Sequence, residues 1–159
     1  MDSIGFTFKV AKKFSGKKLD ELRRRVQAMN AQVKVGYPAN GATENDGTPL
    51  ALVAMVNNFG SPEHNIPERP FMTRAIQNHK EDFKAVNEKT LPQVLEGKMS
   101  VKKALSLLGT EAVKHIQAEI RNGDFVALKV ATIKRKGSSR PLFDTGQMLR
   151  GVTYEVDEK

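Results

Sequence analysis

Between Ser100 and Gly123 the chain has little conformational choice. Val101, Leu105, Leu108, Ala112, Ile116 and Ile120 recur at three- and four-residue steps, the spacing that lines side chains along one face of an α-helix. Ser100 stands where an N-cap is needed and Gly123 where a helix can stop. A helix with one apolar stripe must bury that stripe against another layer, so the rest of the chain has to supply a surface for it.

Two kinds of segment are available. Partial alternation over Gly5–Phe14 (Phe6, Phe8 and Val10 on one side) and alternation over Gln32–Tyr37 (Val33, Val35, Tyr37) predict half-buried strands. Val152, Tyr154 and Val156 alternate in the same way near the end. Leu19, Leu22, Val26 and Met29 predict a helix with Asp20 and Glu21 in its first turn. Asn40–Gly47 is a loop by composition. Thr48 as N-cap and Pro49 at the first helical position open a second helix, with Leu52, Val53, Val56 and Phe59 as its apolar stripe and Gly60 as a left-handed C-terminal cap. Pro62, Pro67 and Pro70 predict a stiff, extended loop from Gly60 to Arg69, pinned by Phe59 and Phe71. A third helix is expected from Pro70 to about Lys89, with Phe71, Ala75, Phe83 and Val86 inward, and a short one near Thr145–Leu149. Strands at both ends with helices between them predict an α+β domain: a small, mostly antiparallel sheet packed against several helices. Residues 1–159 read as one such domain, with a mobile or partner-ordered basic loop at about 124–142.

Composition narrows the chemistry. With 39% apolar residues the chain can form a core, and without cysteine it has no disulfide, thiolate or sulfur-ligated zinc. No apolar run approaches the roughly 20 residues of a membrane span, and Met1–Gly5 lacks the pattern of a signal peptide. No membrane partner is therefore expected, and folding is placed in the cytoplasm. The net charge of +8 is concentrated: residues 9–25 hold eight basic side chains against two acidic, and residues 121–140 hold six against one. Such clusters attract polyanions and acidic protein surfaces alike.

Catalytic patterns are weak. Phe143-Asp144-Thr145-Gly146 has the Asp-Thr-Gly turn of an aspartic protease, but that chemistry needs two such carboxylates in an all-β frame. An Asp144 or Thr145 helix cap accounts for it better. His64, His79 and His115 are far apart in sequence, and the pair His115 and Glu119 offers two metal ligands without a third. No phosphate-binding glycine loop and no nucleophile elbow are present. An enzyme, a cofactor and a small-molecule substrate are thus not expected. Lys134, Arg135, Lys136 and Arg140 can meet phosphates, yet no aromatic residue interleaves with them, so base stacking is not expected.

Two blocks carry a resemblance. Val56-Asn57-Asn58-Phe59-Gly60 is followed by Ile66-Pro67-Glu68-Arg69-Pro70-Phe71. Arg135-Lys136-Gly137-Ser138-Ser139-Arg140-Pro141-Leu142 is followed by Asp144-Thr145-Gly146-Gln147-Met148 and Val152-Thr153-Tyr154. In this order the chain, over residues 30–156, resembles the neck and tail-completion proteins of tailed bacteriophages, a group that includes virion morphogenesis proteins and relatives of the lambda minor tail protein Z. It departs from their pattern at Leu128–Thr132, where a Ser-Pro pair is expected. The resemblance implies a structural virion protein at the head–tail junction, joined late in assembly in the host cytoplasm. It implies self-association in a ring, taken as hexameric, and contact with neighbouring neck or tail proteins. Phe59, Ile66, Pro67, Glu68, Arg69, Pro70, Phe71, Leu142 and Asp144 are the expected protein interface, with Arg69 paired to a neighbour's carboxylate. Lys134, Arg135, Lys136 and Arg140 are expected to face DNA or an acidic partner. The alternative is a non-specific DNA-binding accessory protein using the 121–140 arm.

Overall fold

The computed structural model describes residues 2–4, 20, 31–136, 139–142 and 145–158. In chain order the elements are β1 (Asp2–Ile4), β2 (Ala31–Gly36), α1 (Leu50–Phe59), a 3-10 turn (Pro62–His64), α2 (Phe71–Asn78), α3 (Lys80–Leu95), α4 (Val101–Asn122), α5 (Val130–Lys136), α6 (Gln147–Gly151) and β3 (Thr153–Glu158). The fold is α+β, as the segment order predicts. Its antiparallel sheet has the order β1-β2-β3, so the two ends of the chain flank the central strand. The strand expected at Gly5–Phe14 lies outside the described residues. So does the helix expected over Leu19 to Met29, apart from Asp20, which is helical.

Helix α4 is the centre of the packing. Ser100 Oγ accepts the backbone N–H of Lys103 at 3.1 Å, and the Gly123 N–H donates to the Glu119 carbonyl at 2.8 Å. Both ends therefore form as the sequence predicts. Leu105, Leu108, Ala112 and Ile116 are fully removed from solvent and Ile120 nearly so. The stripe packs on β2 and β3 on one side and on α2 and α3 on the other. Strand β2 answers it with Val33 and Val35, each 1% exposed, on the inward face that alternation defines. Val33 stands opposite Val156 and Val35 opposite Tyr154. Each fully buried aliphatic side chain of this set contributes about 1.5–3 kcal/mol.

Helix and strand meet so closely that Gly109 is required. A Cβ there would lie 2.5 Å from Cγ of Tyr154 and 3.0 Å from its Cβ. These atoms are near the strand backbone and cannot swing aside.

Four segments differ from the sequence expectation. First, α1 turns a different face inward. Leu50, Ala54 and Asn58 are buried, while Leu52, Met55 and Phe59 are 46%, 53% and 68% exposed. The small Ala54 allows close approach, and Asn58 is drawn in by hydrogen bonds described below. Pro49, not Thr48, occupies the cap position, and the Thr48 N–H donates to Asp46 Oδ1 at 2.9 Å. Second, the proline loop is not extended throughout. Ser61 and Ile66 exchange backbone hydrogen bonds of 2.8 and 2.9 Å around the 3-10 turn, with Asn65 at φ 54°. Gly60 takes a positive φ, 74°, but with ψ 175°, so it ends α1 in an extended glycine conformation and not in the left-handed cap expected. Only the stretch after it runs straight, pinned by buried Phe71 and not by Phe59. Third, the helix expected from Pro70 to about Lys89 is two helices that break at His79 and run on to Leu95. Fourth, the basic stretch contains α5, which begins at Val130, inside the Leu128–Thr132 segment where no proline prevents it. The last helix, α6, starts at Gln147, whose N–H is accepted by Thr145 Oγ1 at 3.2 Å behind a left-handed Gly146.

Gly109→Ala separates two opposed effects. Alanine in a helix is worth about 1 kcal/mol over glycine, while overpacking a tight contact costs about 1–3 kcal/mol. In urea unfolding the substitution should destabilise the chain, and in a Tyr154→Ala background, which removes the ring atoms at 2.5 and 2.6 Å, the same substitution should cost clearly less. An equal effect in both backgrounds would show that the close contact does not exist.

Candidate functional site

The first motif block closes on itself. Asn58, 3% exposed, sits at the end of α1 with its amide aimed at the start of α2. Its Oδ1 accepts the backbone N–H of Met72 at 3.0 Å and of Thr73 at 3.4 Å, and its Nδ2 donates to Thr73 Oγ1 at 3.0 Å. Pro70, at the cap position of α2, has no side chain able to do this. Asn58 therefore caps α2 from a different helix, satisfying donors that every helix start leaves orphaned. Beside it, Asn57 accepts the Arg69 backbone N–H on its carbonyl at 2.7 Å and Arg69 Nη1 on Oδ1 at 3.4 Å. Gly60 is pressed against the backbone of the proline loop: a Cβ would lie 2.9 Å from Glu68 N and 3.0 Å from the Ile66 carbonyl oxygen.

Arg69 is thus not the outward pairing residue expected. It is 5% exposed, and its Nε donates to the Val126 carbonyl at 3.2 Å. Burial lowers its pKa from the ordinary arginine value, and the contacts from Asn57 and Val126 hold it in place. Phe71 is fully buried and Leu142 is 5% exposed at φ 60°, so neither is available to a neighbour. Asp144 lies outside the described residues. Of the expected interface set, Phe59 and Glu68 are exposed and Ile66, Pro67 and Pro70 partly so. The sequence reading missed Leu52 and Met55 as surface residues, having placed Leu52 in the core stripe. With Phe59 they form one outward row on α1, bordering an apolar groove lined by Tyr37, Ala51, Ala54 and Met72. The signal was present: Leu50, Ala54 and Asn58 also recur at helical spacing, and burying that set turns Leu52 out.

The second block is tied to the first half of the chain. Tyr37, whose phenol is raised in pKa by burial, donates to the Met148 carbonyl at 2.7 Å. Gln147 Nε2 donates to Asn45 Oδ1 at 3.0 Å, and Gln117 Nε2 to the Leu149 carbonyl at 3.1 Å. The start of the basic segment is anchored as well. Arg74 Nη1 donates to the Asp124 carbonyl at 2.9 Å, and the guanidinium carbon of Arg74 lies 5.2 Å from the centre of the Phe125 ring. Lys134 is exposed on α5, and Arg140 is exposed while donating to the Arg121 carbonyl. The side chains of Arg135 and Lys136 lie outside the described residues.

The histidines are the other departure. His115 does not pair with Glu119, which meets Arg74 at 3.5 Å. The break at His79 folds α3 back along α4 and stacks the His79 and His115 rings, with centroids 3.6 Å apart and planes 17° from parallel. His79 Nδ1 is 2.8 Å from Asp82 Oδ2. His115 Nε2 is 3.2 Å from Asp82 Oδ2 and 3.0 Å from Glu111 Oε1. Neither contact has hydrogen-bond geometry, so this buried nitrogen is unsatisfied. The pKa values of both carboxyl groups are lowered: Asp82 first by its hydrogen bond with His79, Glu111 first by that with Lys114. Burial lowers the His115 pKa below the ordinary 6.5, and neighbouring His79 adds to this. Sequence spacing could not show this cluster, because its halves lie on two helices.

No family model, curated protein or solved structure matches the chain.

If Asn58 caps α2, Asn58→Ala should lower the unfolding free energy by about 1–3 kcal/mol. Hydrogen exchange should accelerate first at the Met72 and Thr73 amides. Unchanged protection at those two amides would contradict the cap.

Proposed function

We propose that this chain is a non-enzymatic structural protein of a tailed-phage particle, acting at the head–tail junction in neck formation, tail completion or tail termination. It works through protein contacts, associating with its own copies in a ring and with neighbouring neck or tail proteins. The observation that carries the reading is the outward row of Leu52, Met55 and Phe59 on α1. The outer face of a surface helix is ordinarily polar, and large apolar side chains gathered beside a groove mark a site that another protein covers. The proline loop supports the reading from its other side. Locked by Asn57 and Arg69, it presents Glu68 and Ile66 without further loss of chain entropy on binding. A heterologous contact, in which the α1 row of one copy meets a different surface of the next, is the kind that closes into rings. The two sequence blocks that resemble neck and tail-completion proteins supply the setting. The alternative, non-specific DNA binding through the 121–140 arm, has exposed Lys134 in its favour.

Sedimentation of the purified chain at rising concentration tests the reading. A discrete oligomer is expected, and Met55→Glu with Phe59→Glu should return it to the monomer without loss of helical signal. An oligomer unchanged by both substitutions would remove the α1 row from the interface. A monomer that retards duplex DNA, with salt dependence lost in the Lys134→Glu, Arg135→Glu, Lys136→Glu variant, would favour the DNA-binding alternative.

A further inference from the structure

We propose that His115, Glu111, Asp82 and His79 form a binding site for a divalent d-block cation, zinc being the expected occupant, which clamps the start of α3 to α4. The inference is independent of the assembly reading. His115 Nε2 stands 3.0 Å from a Glu111 oxygen and 3.2 Å from an Asp82 oxygen, and His79 Nδ1 stands 2.8 Å from that same Asp82 oxygen. Four nitrogen and oxygen ligands at about 2.0 Å from a tetrahedral zinc ion are separated from one another by about 3.3 Å. The donor atoms of His79, Asp82 and His115 all lie within 4.8 Å of one another, and Glu111 adds a carboxylate oxygen from the turn before His115.

The second observation is the orphaned nitrogen. His115 is 7% exposed and its Nε2 has no hydrogen-bond partner. It faces two carboxylate oxygens at angles that a shared proton does not bridge. A buried imidazole nitrogen crowded by two carboxylate oxygens and bonded to neither is costly. A cation held among these groups would give Nε2 a direct partner.

The scaffold suits the role. Glu111 and His115 lie at i, i+4 on the same face of α4, and His79 and Asp82 at i, i+3 where α3 begins. The stacked rings set one condition: an ion in the plane of the His115 ring lies out of the plane of the His79 ring. His79 therefore joins by turning about its side-chain bonds, and its 36% side-chain exposure at a helix junction leaves room for that. Lys114, bound to Glu111 at 2.7 Å, is 66% exposed and can leave the carboxylate. Phe83 packs edge-on against His115 and shields one side of the site, which favours a few firm ligands over a hydrated ion.

The test is titration of the chelator-treated full-length chain with zinc sulfate against a competing fluorescent chelator, with Co²⁺ absorption as a second readout. Saturation at one equivalent, a tetrahedral Co²⁺ spectrum and a rise in Tm with zinc are expected. Asp82→Asn and His115→Gln should each weaken zinc at least tenfold, while His64→Ala and Lys114→Ala should not. Asp82 is half exposed, so its variant keeps the fold even if the His115 variant does not. Absence of saturable binding, or binding that Asp82→Asn leaves intact or His64→Ala weakens tenfold, would overturn the proposal.

Discussion

Everything in this chain rests on the apolar stripe of α4. Leu105, Leu108, Ala112, Ile116 and Ile120 are buried from both sides, by the sheet and by the helix pair α2–α3. Both layers close on that helix. Strand β2 brings Val33 and Val35 to its inward face, and the helix pair brings Phe71, Ala75 and Phe83. The close seating of β3 on Gly109 follows from the same constraint, since the terminal strand must sit low to complete the sheet over the stripe. The Tyr37 hydroxyl and the Gln117 amide then fasten α6 to this core through backbone carbonyls, which carries the C-terminal motif block to the side of the N-terminal half.

A second layer of order comes from buried polar groups. Asn58 and Arg69 are nearly without exposure, and each is held by hydrogen bonds between segments that the core does not itself align. Asn58 sets where α2 begins. Arg69 sets where the chain after α4 passes, by holding Val126. The two residues stand in the first of the two motif blocks. Their burial shows what that block encodes physically: a clamp that holds the proline loop, with the apolar row of α1 beside it.

What was legible in the sequence followed from local rules with one strong solution. The limits of α4 were set by a stripe, a serine cap and a glycine, and β2 by alternation. The class of fold followed from strands at the two ends. Where two solutions competed, tertiary contacts decided. Helix α1 has two faces of comparable hydrophobicity, and the one buried is the one whose Asn58 reaches the α2 amides, a fact invisible until α2 is in place. Arg69 looked outward because arginine is mostly exposed. Only the fold reveals that two acceptors converge on it. The histidine cluster was hidden for the same reason, since a break at His79 has no glycine or proline to announce it. The DNA-facing role expected of the basic stretch rests on charge alone, which attracts many partners equally.

The resulting account is of a small α+β body whose polar clamp and core hold an apolar helix face ready for another protein, proposed here as part of a phage head–tail junction. The most direct measurement is electron microscopy of lysates from a phage in which this reading frame carries an early stop codon. The account predicts DNA-filled heads beside unattached or abnormal tails, with normal particles restored when the chain is supplied in trans. Complete, infectious particles in the absence of the chain would contradict it.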